Sequence, residues 1–299
     1  MLRAVDRPGV TLKIADRLYI QSGYPILPEF TNELRRSFSA DIGIVDFAGH
    51  RTEAVNEVNS WVSNQTRGMI PGVLSEAGPM PRSAMLIDAE YLDAHWLYTF
   101  DPKTTATGKF ELEDGKSVDT QMMSNQANYG YAESAKLQVL KIPYEAELSM
   151  WIFLPRSGHS VSSIQMDARD FFHRASLEPK LVHLRIPKFK FSTEGSLMSF
   201  LQKFGLASVF GQGALQKVSG SDETYVNEVL QDAVVEVNEK GTKAAAVTAI
   251  QMTDGIGDPE VPMPIQFNAY HPFLFAIRHD STGAILFIGR LMKPTDAVK

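Results

Sequence analysis

The sequence predicts an α+β fold in a single domain, residues 1–299. Three observations carry this reading: a strand of alternating apolar and polar residues lies near the start, two segments with helical spacing follow it, and from Met85 onward the pattern is mainly that of strands. No internal repeat, low-complexity tract or linker divides the 299 residues, and 44% hydrophobic residues suffice for a substantial core.

Residues 11–20 alternate apolar and polar side chains and predict the first strand. Phe30, Leu34 and Phe38 then recur at helical spacing behind Pro28, and Ala54, Val55, Val58, Trp61 and Val62 trace the apolar stripe of a second helix. Residues 137–142, 148–154 and 182–186 read as strands bounded by Pro143, Pro155 and Pro187. One helix, 197–204, is stopped by Gly205. Residues 272–277 and 284–288 are dense apolar strands joined through Asp280 to Gly283, which is hairpin chemistry.

The net charge of −6 is scattered rather than blocked, which weighs against nucleic acid and anionic membranes as partners. Without cysteine there is no disulfide framework, cysteine metal site or cysteine nucleophile. The start of the chain lacks the basic and apolar run of a secretion signal, and no segment has the roughly 18 apolar residues of a membrane helix, so a soluble protein without an export address is expected.

The common catalytic constellations are missing: there is no G-x-S-x-G elbow, H-E-x-x-H, phosphate loop or EF-hand loop. Gly255-Ile-Gly257 and Gly211-Gln-Gly213 each lack the third glycine of a dinucleotide fingerprint. The seven histidines show no metal-ligand spacing; His183, on a strand, is read as structural, and Trp61 and Trp151 as core. Asn64-Gln-Thr66 fits a glycosylation acceptor, a motif short enough to occur by chance. No enzyme, metal or cofactor is expected.

What remains is the run Glu239-Lys-Gly-Thr-Lys-Ala-Ala-Ala-Val-Thr248 behind the strand 233–237. Extended, it would set Thr242, Ala244, Ala246, Thr248 and Ile250 on one face, small enough to slide between two existing strands. An ordinary helix or covered strand is the alternative. Gly255, Gly257, Pro259, Pro262 and Pro264 keep the following loop irregular, and long irregular loops in compact domains are usually functional or disordered.

These residues resemble the hinge of the serpins, the serine protease inhibitor superfamily. The resemblance extends to Asn268-Ala-Tyr-His-Pro-Phe-Leu-Phe275, Ile285-Leu-Phe-Ile-Gly-Arg290 and Pro294 near the C-terminus. Upstream it includes Asn59-Ser-Trp-Val62, Thr66-Arg-Gly68, Ile70, Phe110, Gly115, Val118, Met122, Met123, Leu140-Lys-Ile-Pro-Tyr144 and Phe153-Leu-Pro155, in family order and spanning residues 11–294.

The resemblance implies three β-sheets with surrounding helices, a metastable native state, an N-terminal remnant (1–10), a hinge and exposed reactive loop (239–266) and C-terminal strands (267–294). It implies a monomeric inhibitor that acts as a suicide substrate: a protease cuts the loop, and the loop inserts into the main sheet. Carried over by position, Glu239 would pair with Lys188, Gly241 and Thr242 would start insertion, and Ala244, Ala245, Ala246 and Thr248 would follow. Asp88 and Gln231 would stand at the sheet's opening point, in place of the usual Asn and His, and Trp96 at the upper-sheet tryptophan. The family's count from the hinge puts the scissile bond at Gly255–Ile256, with Met252–Thr253 and Ile256–Gly257 as alternatives.

From Thr248 through Gln266 there is no Lys or Arg, so an elastase-like, chymotrypsin-like or cysteine protease is the expected partner rather than a trypsin-like one. The chain begins at what resembles a main-sheet strand, which implies that the preceding helices, including the one backing that sheet, are missing. A non-inhibitory binding or chaperone module, or an inactive truncated form, is the alternative this raises. The family base rate points to an extracellular protein, with the cytoplasm as the alternative.

Overall fold

The computed structural model describes residues 4–38, 40–78, 80–163, 177–242 and 263–294. Its strands are β1 (Ala4–Arg7), β2 (Val10–Gln21), β3 (Asp41–Val45), β4 (Ala84–His95), β5 (Ala106–Glu111), β6 (Ser117–Glu133), β7 (Leu137–Pro143) and β8 (Leu148–Pro155), followed by β9 (Glu178–Pro187), β10 (Phe189–Ser196), β11 (Val226–Val237), β12 (Gly241–Thr242), β13 (Ile265–Asn268), β14 (Phe273–His279) and β15 (Ile285–Leu291). The helices are α1 (Pro28–Phe38), α2 (Arg51–Gln65), and the single turns α3 (Met198–Leu201) and α4 (Gln216–Ser219). None of the described helices is long and apolar enough to cross a membrane.

The chain forms two compact units: Met1–Asp6, Thr11–Leu92 and Ser192–Val235 in one, and Arg7–Val10, Asp93–Phe191 and Glu236–Lys299 in the other. The strands join into two hydrogen-bonded sheets. One has the order β1-β2-β4-β11-β10, with β3 on β2 and β12 on β4; the other runs β13-β9-β6-β7-β8-β14-β15, with β5 on β6. Where the resemblance implies three sheets, the long β6 pairs β5 near its start, β9 from Met122 to Tyr131 and β7 from Gly130 to Glu133, and so links all of these strands into one network.

In the first unit the pleat sorts side chains onto two faces. Tyr19, Met85, Ile87, Ala89 and Val234 pack beneath Ala54, Val58 and Val62 of α2, while Leu18, Ile20 and Ala84 point the other way toward Val218 and Phe30 of α1. The apolar stripe predicted for α2 is therefore the buried one. The helical spacing of Phe30, Leu34 and Phe38 is met by α1, which begins at Pro28, although no residue of α1 is fully buried and Phe38 is 48% exposed.

Polar side chains fix the two ends of α2. Asp46 accepts from Gln21 Nε2, Gly49 N and His50 Nδ1, which together hold its carboxyl far below the usual carboxylate range. Asn59 pins the returning chain by accepting from Val73 N and Leu74 N and donating to Leu74 O. The Thr66 hydroxyl accepts from Ile70 N and donates to Val62 O. The Asn59 and Thr66 motifs thus have a structural basis in the return of the chain from α2.

In the second unit every residue of β8 is buried, which is why its sequence is a continuous apolar run rather than an alternating one. The predicted hairpin pairs β14 with β15, and Gly283 takes the left-handed conformation in its turn (φ +72°). Trp151 is buried in this unit against Val139, Phe153 and Leu274. The helix expected over 197–204 is regular only as α3; it continues as wider turns through Gly205, whose φ of +87° ends the regular backbone.

Candidate functional site

The predicted hinge begins where β11 ends. Asn238 and Gly241 bridge each other and reverse the chain, and Asn238 Oδ1 accepts from Lys240 N at 3.0 Å. After the reversal, β12 runs antiparallel to β4, with Gly241 opposite His95 and Thr242 opposite Ala94. Gly241 has φ +140°, and a Cβ there would sit 2.0 Å from the Ala94 carbonyl oxygen. Only glycine fits this close approach without displacing the backbone.

The turn is fastened on three sides. Glu239 Oε2 lies 3.0 Å from Lys188 Nζ, its Oε1 accepts from Thr105 Oγ1 at 2.9 Å, and its carbonyl accepts from Phe100 N at 2.9 Å. Burial alone would raise the Glu239 pKa; its own backbone amide, Lys188 and Thr105 outweigh that and hold the carboxyl below its ordinary value. Trp96 is 1% exposed, and its indole N–H donates to Asn238 O at 2.9 Å while its backbone N–H donates to Lys240 O at 3.0 Å. The Trp96 ring stacks on Tyr144 at 4.1 Å and meets Phe100 edge-on at 6.2 Å.

In the first unit, β4 and β11 are direct neighbours and run parallel, with Gln231 opposite Asp88. Gln231 Nε2 donates to Asp88 Oδ2 at 2.8 Å, the bond expected at the sheet's opening point. Two residues further along β4, on the same face, Glu90 has its pKa raised to about 7 by burial and by the nearby charges of Asp88 and Asp16.

Of the site residues predicted from sequence, the structure thus pairs Glu239 with Lys188 and Asp88 with Gln231, and it sets Gly241 and Thr242 antiparallel to β4 near Trp96. Ala244, Ala245, Ala246, Thr248, Met252, Thr253, Gly255 and Ile256 lie outside the described residues. Sequence reasoning missed Thr105, Phe100 and Tyr144, which reach the hinge only through folding. It also missed Glu90, although a second acid two residues after Asp88, on the same face of one strand, was a visible signal.

The family model described as Serpin (serine protease inhibitor) matches residues 1–294. The chain belongs to the serpin family. Leukocyte elastase inhibitor of Xenopus laevis is 35% identical, with 97% of this chain and 79% of that protein covered. Human thyroxine-binding globulin superposes with a TM-score of 0.86 at 24% identity, covering 97% of this chain and 77% of that one. Serpin48 of the insect Tenebrio molitor gives 0.85 at 26% identity, covering 97% and 78%. The fold is accordingly the α+β serpin fold, and the family is one of protease inhibitors rather than of proteases.

Proposed function

We propose that this serpin inhibits an elastase-like or chymotrypsin-like serine protease, or a cysteine protease, as a suicide substrate. The observation that carries this reading is the pairing of Gly241 and Thr242 with β4. Because β4 and β11 are parallel neighbours, a strand that leaves the end of β11, reverses and enters between them must be antiparallel to both. The first two residues after the reversal have this direction. The Glu239–Lys188 pair, Trp96 and the Asp88–Gln231 bond are the fastenings such an insertion starts from and must pass.

In this reading residues 239–266 carry the hinge and the cleaved loop. The protease nucleophile attacks the carbonyl of Gly255, or of Met252 or Ile256, forming an acyl-enzyme and releasing the new amino terminus that begins with the next residue. Insertion of Thr242, Ala244, Ala246 and Thr248 then carries the acylated protease away from its deacylation geometry. Similarity to a leukocyte elastase inhibitor and the absence of Lys and Arg between Thr248 and Gln266 both favour an elastase-like partner. We also propose the cytoplasmic alternative over the extracellular placement; cell fractionation with the tagged protein checks it.

The test is incubation with a panel of elastase-like, chymotrypsin-like, trypsin-like and cathepsin-like proteases. A complex stable on a denaturing gel is expected with at least one of the non-tryptic enzymes, and mass spectrometry of the loop identifies the bond. Cleavage of the loop by every enzyme without a complex overturns the inhibitory reading in favour of a non-inhibitory binding module.

The Glu239–Lys188 pair carries a smaller expected effect. Replacing Lys188 by methionine leaves the largely buried Glu239 carboxylate with Thr105 as its side-chain partner, and stability falls by about 1 to 2 kcal/mol at pH 7. Since the folded carboxyl is held below its ordinary pKa, this contribution is present above about pH 4.5 and fades as the pH falls through the folded value. Urea unfolding at pH 7 and pH 3.5 measures the difference, which should shrink at the lower pH.

A further inference from the structure

The second sheet carries a groove of about 240 Å3 beside β13. Its floor is Met122; Gly108 and Lys109 of β5 form one side, and Arg185, Asn268 and Tyr270 the other. One edge is tied by Glu111 N donating to Tyr270 O at 2.7 Å. The wall formed by β13 is fixed by a ladder across three strands. Ser124 Oγ and His183 Nε2 lie 3.0 Å apart, and His183 Nδ1 is 3.0 Å from Gln266 Oε1. The groove therefore has a set shape before anything enters it.

Its chemistry is specific. Arg185 is exposed, and among the described residues no carboxylate lies within ion-pair distance of it. Lys109 meets Asp119 at 2.7 Å, but both side chains are more than half exposed, so this is a weak surface pair that can exchange partners. Tyr270 is 44% exposed and offers a rigid aromatic rim. A thioether floor, an aromatic rim and an unpaired guanidinium suit a carboxylate on an apolar stem.

We propose that this groove is a docking site for an acidic surface segment of the target protease, separate from the reactive loop. The inference rests on the inhibitory reading, and the chain itself limits where that protease can be. Ile256 and Asn268 are twelve residues apart in sequence, a span of at most about 40 Å even fully extended. A protease domain is about as wide as that reach. An enzyme engaged at residues 252–257 is therefore tethered close enough for part of its surface to reach the groove. Docking there would raise the rate of encounter and select proteases by an acidic patch as well as by the residue they cleave after.

The experiment measures the association rate of the wild type, Arg185→Ala, Arg185→Glu and Tyr270→Ala with whichever panel protease forms the covalent complex, at 50 and 300 mM salt. Arg185→Glu is expected to slow association at least tenfold at 50 mM salt and much less at 300 mM. Arg185→Ala and Tyr270→Ala should slow it severalfold, with the number of inhibitor molecules consumed per protease and the melting temperature unchanged in all three. If the wild type forms the complex and the variants match its rate and salt dependence, the groove is not a docking site and the inhibitory function stands. Rescue of the wild-type rate difference by added sulfate or phosphate alone would assign the groove to a small anion and overturn protease docking. If no panel protease forms a complex, the inhibitory reading fails and the groove loses its occupant with it.

Discussion

Gly241→Ala is expected to lower stability by roughly 3 kcal/mol and to convert the protein from inhibitor to substrate. The glycine has φ +140°, where an L side chain is strained by about 1 to 3 kcal/mol. The added Cβ would also lie 2.0 Å from Ala94 O, 2.7 Å from His95 Cα and 2.8 Å from Trp96 N. All three neighbours are main chain of β4 or of the residue after it, so no side chain can swing aside to relieve the clash. Either β12 lifts off β4 or the backbone around Trp96 shifts, which disturbs a tryptophan held by two hydrogen bonds and a stacked tyrosine.

The functional consequence follows from the same geometry. If insertion begins with Gly241 and Thr242 on β4, displacing them delays the step that competes with deacylation, and more of the loop is cut without trapping the protease. Urea unfolding measures the first effect, and the number of inhibitor molecules consumed per protease trapped measures the second. A variant that unfolds within 0.5 kcal/mol of the wild type removes the argument from close approach. A destabilised variant that still traps with unchanged stoichiometry removes the link between β12 and insertion.

Much of this architecture was legible in the sequence where one periodicity dominated. β2 and the stripe of α2 followed directly from alternation and helical spacing, and β8 from an apolar run between turn signals, because burial on one face or both leaves that trace. α1 shows the limit: Phe30, Leu34 and Phe38 have the spacing of a buried stripe, yet none of them is buried. Spacing reports that residues share a face and is silent on how deeply it is covered: Phe30 packs against Leu18, Ile20 and Ala84, while Phe38 is exposed. Gly241 was readable because a backbone approach this close leaves room for no side chain. The hinge's partners were not, since Thr105 and Glu239 are 134 positions apart and no local pattern connects them. The fastening at Asp88 and Gln231 was readable only through the family resemblance, as nothing in either strand singles those residues out.

Glu90 carries the second large expectation, a stabilisation that depends on pH. It lies on the face of β4 opposite α2, two residues from Asp88, with Asp16 as a further charge; its partner across β11 is Ala233, and Gln231 brings only a neutral amide to that face. Burial and these two like charges raise its pKa from 4.5 to about 7. The folded protein thus binds this proton more tightly than the unfolded chain does. The sign follows: the full stability is present below about pH 4.5, declines as the pH rises toward 7, and stays low above that. With Glu90 only partly shielded from water, the ionised carboxylate costs about 2 to 3 kcal/mol at pH 8. Glu90→Leu should therefore raise the melting temperature by roughly 3 to 5 °C at pH 8 and by much less at pH 5, with Glu90→Gln intermediate. Comparing each variant with the wild type at the same pH cancels the other titrating groups. A gain of equal size at both pH values would show that packing rather than charge decides it. The effect bears on the proposed function because Asp88 holds Gln231 across the pair of strands that, in that proposal, separate to admit the loop. Ionising Glu90 beside that bond makes opening easier, so amide exchange in β4 and β11 should accelerate between pH 6 and pH 8 beyond the intrinsic rise, and Glu90→Leu should abolish that excess.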